Sequence, residues 1–481
     1  MYKERKRADF EIRKIIYLLL TKSKGWMRNR RSIIEIYGEG CKDILYKMWN
    51  NPDPEYSLSM KYECRIIIES IRRQEALLIW KKFKKEPNYL PLDEALFTLD
   101  LFTAYGSGNI DNSEPISLRE KMDNLGLLCR ERLCLESSSG ELDVRDKIIV
   151  LYRVMRENGI IGTTGANYYS LKNNFVSEAF IPYQGTLPIV LVGILIGIAR
   201  RCGIDIKPVA FPGHVLACLM DKENDKVVFY IDPYREVIIE TSEMESMLLS
   251  MGSDFRSDVA LPVTTALMLR RCCNNVRDRI ERRLPQGYES CLYAQLTLSS
   301  ILMDRYENNV IDLLYDIVNE VFPLDEDLLN RGILGNSVYS NHNSSRIYRD
   351  DIFLIPPKRR TSKDFPKFMV GQVFMHKKYG YYAVITGWTF KCLADPEWIE
   401  SMGVSQLHRG CDQPFYSAYS SDGTPYYTAE DNIELANDGF IPVESFLKLH
   451  DIGKFFKTYD YNARRFILTP YVESEYVDDI V

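Results

Sequence analysis

From Leu187 to Ala199 the chain carries no charged or hydrogen-bonding side chain, and the stretch stops at Arg200 and Arg201. A helix that crosses a bilayer needs about 20 such residues. This stretch is shorter, so it predicts a buried helix inside a folded domain. A chain of 481 residues is too long for one hydrophobic core and implies several domains. The composition, 46% apolar and 27% charged, is that of ordinary globular proteins. The basic N-terminus, Met1 to Lys14, also holds acids, and no small-residue cleavage site follows an apolar stretch. No secretory signal is expected there, and cytoplasm or nucleus is the expected location, with no membrane partner.

Three blocks differ in pattern. Residues 1–110 have helical spacing, as in Ile12, Ile15, Ile16 and Leu19, with Asp9 and Asp93 as candidate helix caps. Turn residues from Gly106 to Asn109 mark a boundary. Residues 116–330 begin and end helically. Between the helices lie strand-like segments, Lys207–Phe211, Val215–Leu219 and Val227–Ile231. Residues 331–366, with an Asn/Ser-rich stretch and the run Pro356 to Arg360, read as a linker. Residues 367–470 are dense in Tyr, Phe, Trp, Gly and Val, with short alternating runs that predict a small antiparallel β-barrel. The acidic tail from Glu473 is expected to fray. The fold class is therefore α+β and multidomain.

Eleven cysteines without a CxxC pair, and five scattered histidines, predict no metal site and no cofactor. Scattered thiols with apolar neighbours fit a reducing compartment. The net charge of −6 gives no general field for nucleic acid, so a DNA role would rest on a local patch.

In the middle block, His214 sits on a Pro-Gly turn between two strand-like segments and Asp232 follows a third. A thiol protease or transglutaminase needs a thiolate at a helix N-terminus, a histidine base and a carboxylate to orient it. His214 and Asp232 supply the last two, and the helix 187–201 would present the first. Asn167-Tyr168-Tyr169, Asn173-Asn174-Phe175, Gly185 to Ile189, Phe211 to His214 and Ile231-Asp232-Pro233 resemble the SirB-type transglutaminase-like domain. That resemblance places the nucleophile at about Leu187 to Val190, where this chain has none, and Thr186 lies just outside. The pair His214 and Asp232 then reads as a remnant and the domain as non-catalytic. An alternative is a live thiol hydrolase or transferase built on His214. Cys202 lies at the wrong end of the helix for this, where the dipole raises a thiol's pKa. Cys218 shares the face of His214 by period two and is the rival nucleophile, redox or metal residue.

In the third block, Lys367 to Val373, His376 to Tyr381, Val384 to Trp388, Asp412 to Tyr416 and Tyr427 to Ile433 resemble the YccV/HspQ family. That family has been called hemimethylated-DNA-binding. Between 367 and 436, five cations (Lys367, Lys377, Lys378, Lys391 and Arg409) face eight acids. The excess of negative charge disfavours duplex DNA unless Lys377 and Lys378 join Lys358, Arg359, Arg360 and Lys363 in one patch. Tyr379, Trp388, Gln413, Phe415 and Tyr416 are the candidate partner-binding residues, with a protein partner preferred to nucleic acid.

The two domains in this order resemble a family of F-box proteins, substrate-recognition subunits of cullin–RING ubiquitin ligases. The resemblance implies a protein substrate and, given an F-box, Skp and cullin partners. A three-helix F-box opening on a Leu-Pro-x-Glu pattern is not legible in the first 40 residues. Either the motif has diverged or the chain starts after it.

Overall fold

The computed structural model describes residues 2–22, 25–53, 55–104, 115–138, 140–221, 223–250, 257–283, 288–302, 308–330, 356–361, 365–436, 441–449 and 451–480. The expected boundary at Gly106–Asn109, most of the expected linker 331–366 and its Lys363 lie outside them.

Three helices open the chain: α1 (Tyr2–Thr21), α2 (Trp26–Tyr37) and α3 (Lys42–Trp49). Asp9 lies inside α1 and is not its cap, because the helix starts seven residues earlier, at Tyr2. The long α4 (Leu58–Lys85) follows. The chain divides into two compact units, one of residues 72–343 and one of residues 1–71 with 344–481.

The 72–343 unit is built around the apolar stretch. α5 (Leu92–Thr103), α6 (Pro115–Ser137), α7 (Val144–Glu157) and the short α8 (Val176–Ala179) precede it. The stretch itself is α9 (Pro188–Arg201), with Pro188 in the first turn, where its missing N–H costs nothing. Every residue from Pro188 to Ala199 is buried, as the pattern predicts. Gly193 and Gly197 make the packing possible: a Cβ at Gly193 would meet Leu96 of α5, and one at Gly197 would overlap Met122 of α6 and Asp93. Asp93 is not the α5 cap. It stands in the first turn behind Pro91, buried, and pairs with Arg200 and Arg201 at 3.0 Å each. The buried Asp93 carboxylate thereby faces both arginines at the charged end of the apolar helix.

One face of α9 meets an antiparallel meander, β1 (Ile206–Val209), β2 (Leu216–Asp221), β3 (Lys226–Asp232) and β4 (Val237–Glu240), in that spatial order. Ala217, Phe229 and Ile231 belong to the core around α9, whereas Leu216, Cys218 and Tyr230 form a second cluster with Met244 of α10 (Thr241–Ser250). Period-two alternation thus feeds two cores. Helices α11 (Thr265–Arg283), α12 (Glu289–Leu302) and α13 (Asn308–Glu320) complete the unit.

In the other unit the C-terminal part holds β5 (Val373–His376), β6 (Tyr382–Thr389), β7 (Phe415–Ser420), β8 (Pro425–Ala429) and β9 (Ile433–Leu435). All neighbours are antiparallel, in the order β8-β7-β6-β5-β9. Only Glu430–Asn432 connects β8 to β9, so the chain passes from one edge strand to the other in about 10 Å and the sheet is strongly curled. Among the described residues no ladder joins β8 to β9, so the expected barrel is an open, curled sheet. Closure is unnecessary because both faces are covered. Val404 and Trp398 pack over Phe415 and Ala429 on one side. The hairpin β10 (Phe456–Asp460) and β11 (Arg465–Leu468) shares the main cluster with Tyr416 and Trp388.

Candidate functional site

β3 delivers Asp232 at its last residue, and the turn Phe211 to His214 before β2 delivers the histidine. His214 Nε2 lies 2.8 Å from Asp232 Oδ2, and Asp232 has no exposed surface. The backbone N–H groups of Tyr234 and Arg235 donate to the other carboxylate oxygen at 3.0 and 3.1 Å. Burial opposes the charge on Asp232, but the bond to His214, its charge and the two backbone donors outweigh it and hold the carboxyl below its usual pKa. The Tyr234 ring stands edge-on to His214, and its hydroxyl donates to the Thr163 carbonyl at 2.6 Å. The Thr163 N–H in turn donates to Thr186. The pair is therefore assembled as a histidine–carboxylate unit next to the loop that leads into α9.

The positions where the resemblance would place a nucleophile hold hydrocarbon. Leu187 caps α9, and Leu187, Pro188, Ile189 and Val190 are all buried. The Thr186 hydroxyl is buried too and donates to the Asn173 carbonyl at 2.9 Å. Neither candidate thiol replaces it. Cys218 lies in the cluster beneath α10, and burial pushes its thiol up to about 12. Cys202 closes the far end of α9, a helix about 20 Å long, against Gly126 of α6. Its thiol pairs with the Cys129 thiol, and that hydrogen bond holds it below the usual value. The structure does not bring either thiol to His214, and among the described residues no cluster of His, Cys, Asp and Glu suits a metal ion.

Of the five candidate partner-binding residues in the C-terminal sheet, only Tyr379 is a surface residue, 63% exposed. Trp388, Gln413, Phe415 and Tyr416 are buried and offer no face to a partner. Tyr416 donates to Glu430 at 2.7 Å, Gln413 ties the Gly410 carbonyl to the Asp431 N–H, and Trp388 Nε1 donates to Asp479 at 3.0 Å. Tyr379 belongs to a small aromatic surface in which Tyr379 and Tyr381 flank His376 and Tyr381 stacks on Tyr426 at 4.3 Å. The acidic tail does not fray. Asp479 is fully buried and accepts from Val370, Trp388 and Arg360. Lys358 pairs with Glu475 and Arg359 with Asp478, so the basic run faces the tail. Arg409 is likewise held by Glu430 and Asp431.

Two families match the chain. Residues 117–274 match the transglutaminase-like superfamily, and residues 366–463 match the family described as hemimethylated DNA-binding protein YccV like. F-box only protein 21 of Pongo abelii is 23% identical over 473 residues, covering 89% of this chain and 72% of the relative. The Homo sapiens and Mus musculus proteins of that name are each 22% identical over 480 residues, covering 89% of this chain and 73% of the relative. The chain resembles F-box only protein 21. No solved structure matches it.

The similarity to F-box only protein 21 runs over 89% of the chain, but some residues that shape the site emerge only from the fold. Tyr234 and Thr163 brace the His214 loop, and their signal was the pair Gly162 and Tyr234: a Cβ at Gly162 would overlap the tyrosine ring. Asp479 was missed because a short acidic tail carries no mark of burial.

Proposed function

We propose that this chain is an adaptor of the F-box type, which holds a protein substrate for a cullin–RING ubiquitin ligase and performs no chemistry at its transglutaminase-like site. The observation that carries the reading is the similarity to F-box only protein 21, which covers 89% of the chain and so takes in both domains. The filled first turn of α9 supports the non-catalytic half of the reading. A histidine–carboxylate pair without a nucleophile can orient a loop but cannot form an acyl intermediate. The N-terminal helices support the adaptor half: Phe10, Ile15 and Leu18 of α1 and Ile36 of α2 are exposed, a surface suited to a protein partner.

A second reading, DNA binding through the YccV-like domain, has the family description in its favour. The ion pairs of Lys358, Arg359, Arg360 and Arg409 oppose it, since each removes a cation from the patch that phosphate would need. Affinity capture of the tagged full chain from cell lysate, read by mass spectrometry, tests the adaptor. Skp and cullin subunits in near-stoichiometric amounts are expected, and their absence while other proteins are recovered overturns it.

A further inference from the structure

The unit made of residues 1–71 and 344–481 contains a cavity of about 280 Å³. Trp49, Pro52, Leu58, Leu449 and Ile452 give it an apolar wall, and Asn50, Asn51, Lys61 and Lys448 a polar one. Gly453 fixes its width: a Cβ there would overlap the Leu58 carbonyl oxygen and crowd Tyr62, so only glycine lets the C-terminal segment lie against the first turn of α4. The charged side chains of the lining are Lys61 and Lys448, with no acid among them. Asp451, next in sequence to the lining residue Ile452, pairs with Arg65. Among the described residues no carboxylate pairs with Lys61. Burial pushes its pKa down with no opposing charge to restore it. A half-buried ammonium beside an apolar wall lacks the charged partner that would offset its desolvation. In a chain of net charge −6 this hollow is locally positive.

We propose that this cavity binds an acidic peptide segment, with a carboxylate side chain next to an aliphatic or aromatic one. The carboxylate meets Lys61, with Lys448 at the rim, and the apolar neighbour lies against Trp49 and Tyr62. The volume suits one or two side chains, below the range of pockets that hold a whole drug-sized ligand. Two lysines fix one carboxylate but are too few to follow a nucleic-acid backbone. The assignment deepens the adaptor reading and rests on it, by naming what part of a substrate this unit holds.

The test is to pan a phage-displayed random peptide library on the immobilised full chain. Enriched sequences are expected to carry Asp or Glu beside Leu, Ile, Phe or Trp. A synthetic peptide of the enriched sequence should lose about tenfold or more in affinity with Lys61→Glu, less with Lys61→Met, and should weaken with added salt. Thermal melting of both variants separates a lost site from a lost fold, and Lys448→Glu gives an independent second variant at the exposed rim. No enrichment, enrichment without acids, or a peptide that binds Lys61→Glu as tightly as the parent chain overturns the proposal. If the peptide site fails while Skp and cullin are captured, the cavity assignment falls and the adaptor stands. If capture fails while acidic peptides bind through Lys61, the adaptor reading falls and the cavity remains a peptide site.

Discussion

Leu187, Pro188, Ile189 and Val190 bear on the proposed loss of chemistry in the middle domain as much as His214 does. The histidine and Asp232 are held as a catalytic pair would be, at 2.8 Å with the carboxylate oriented by two backbone donors, whereas the first turn of α9 offers only hydrocarbon. The pairing of His214 with Asp232 was legible in the sequence, because the Pro-Gly turn and the strand end that carry them are local signals. What the sequence could not give was the state of the remaining thiols, which depends on burial and on neighbours from distant segments. Cys41, Cys64, Cys218, Cys272, Cys273 and Cys291 are buried, with thiols pushed up by burial, while Cys134 is exposed. Iodoacetamide at pH 7, followed by peptide mapping, should therefore label Cys134 first and the half-buried Cys202 next. These six, with the buried Cys129, should react only after unfolding, at least about a hundredfold more slowly. Rapid labelling of Cys218 in the folded chain would revive the thiol hydrolase.

At the scale of the element, β7 shows why the aromatic residues were misplaced. Phe415 and Tyr416 are consecutive, so they point to opposite faces of the sheet, and alternation predicts one of them outside. Both are buried, because Val404 and Trp398 cover one face, and Phe368 with Phe456 and Phe466 of the β10–β11 hairpin covers the other. A second cover contributed by distant segments leaves no period in the strand itself. The strands β1 to β3 were legible because their alternation and flanking turns are local, whereas the short β4 was not singled out. Asp479 illustrates the same limit. It lies in a three-residue turn, Val477–Asp479, yet it joins Arg360, Trp388 and the Val370 N–H in one buried knot. Asp479→Ala leaves a buried guanidinium, an indole N–H and a backbone N–H without their acceptor. The expected loss is about 3–5 kcal/mol. Urea denaturation of the full chain, followed by tryptophan fluorescence, would measure it. A change below about 1 kcal/mol would show that water replaces the carboxylate and that the tail is dispensable.

Across the whole molecule, charge is arranged to cancel locally, and this bears on nucleic acid more than the net value of −6 does. The sequence places a basic run, Lys358 to Arg360, ahead of the YccV-like domain, and an acidic tail more than a hundred residues later. Only the fold brings them together, with Lys358 on Glu475 at 2.7 Å and Arg359 on Asp478 at 3.4 Å. These two pairs are partly exposed and contribute little to stability, so they act as a charge mask more than as a clamp. Removing the acids should uncover the cations without unfolding the domain. Fluorescence anisotropy with a 20-base-pair duplex, hemimethylated or unmethylated, is expected to show the parent chain binding no tighter than about 10⁻⁴ M at physiological salt. The double substitution Glu475→Gln and Asp478→Asn should strengthen binding to both duplexes equally, and its log–log salt slope should steepen by about two units, one for each uncovered cation. Micromolar or tighter binding by the parent chain, selective for the hemimethylated duplex, would show that the sheet reads DNA despite the mask, and would move the second reading ahead of the first.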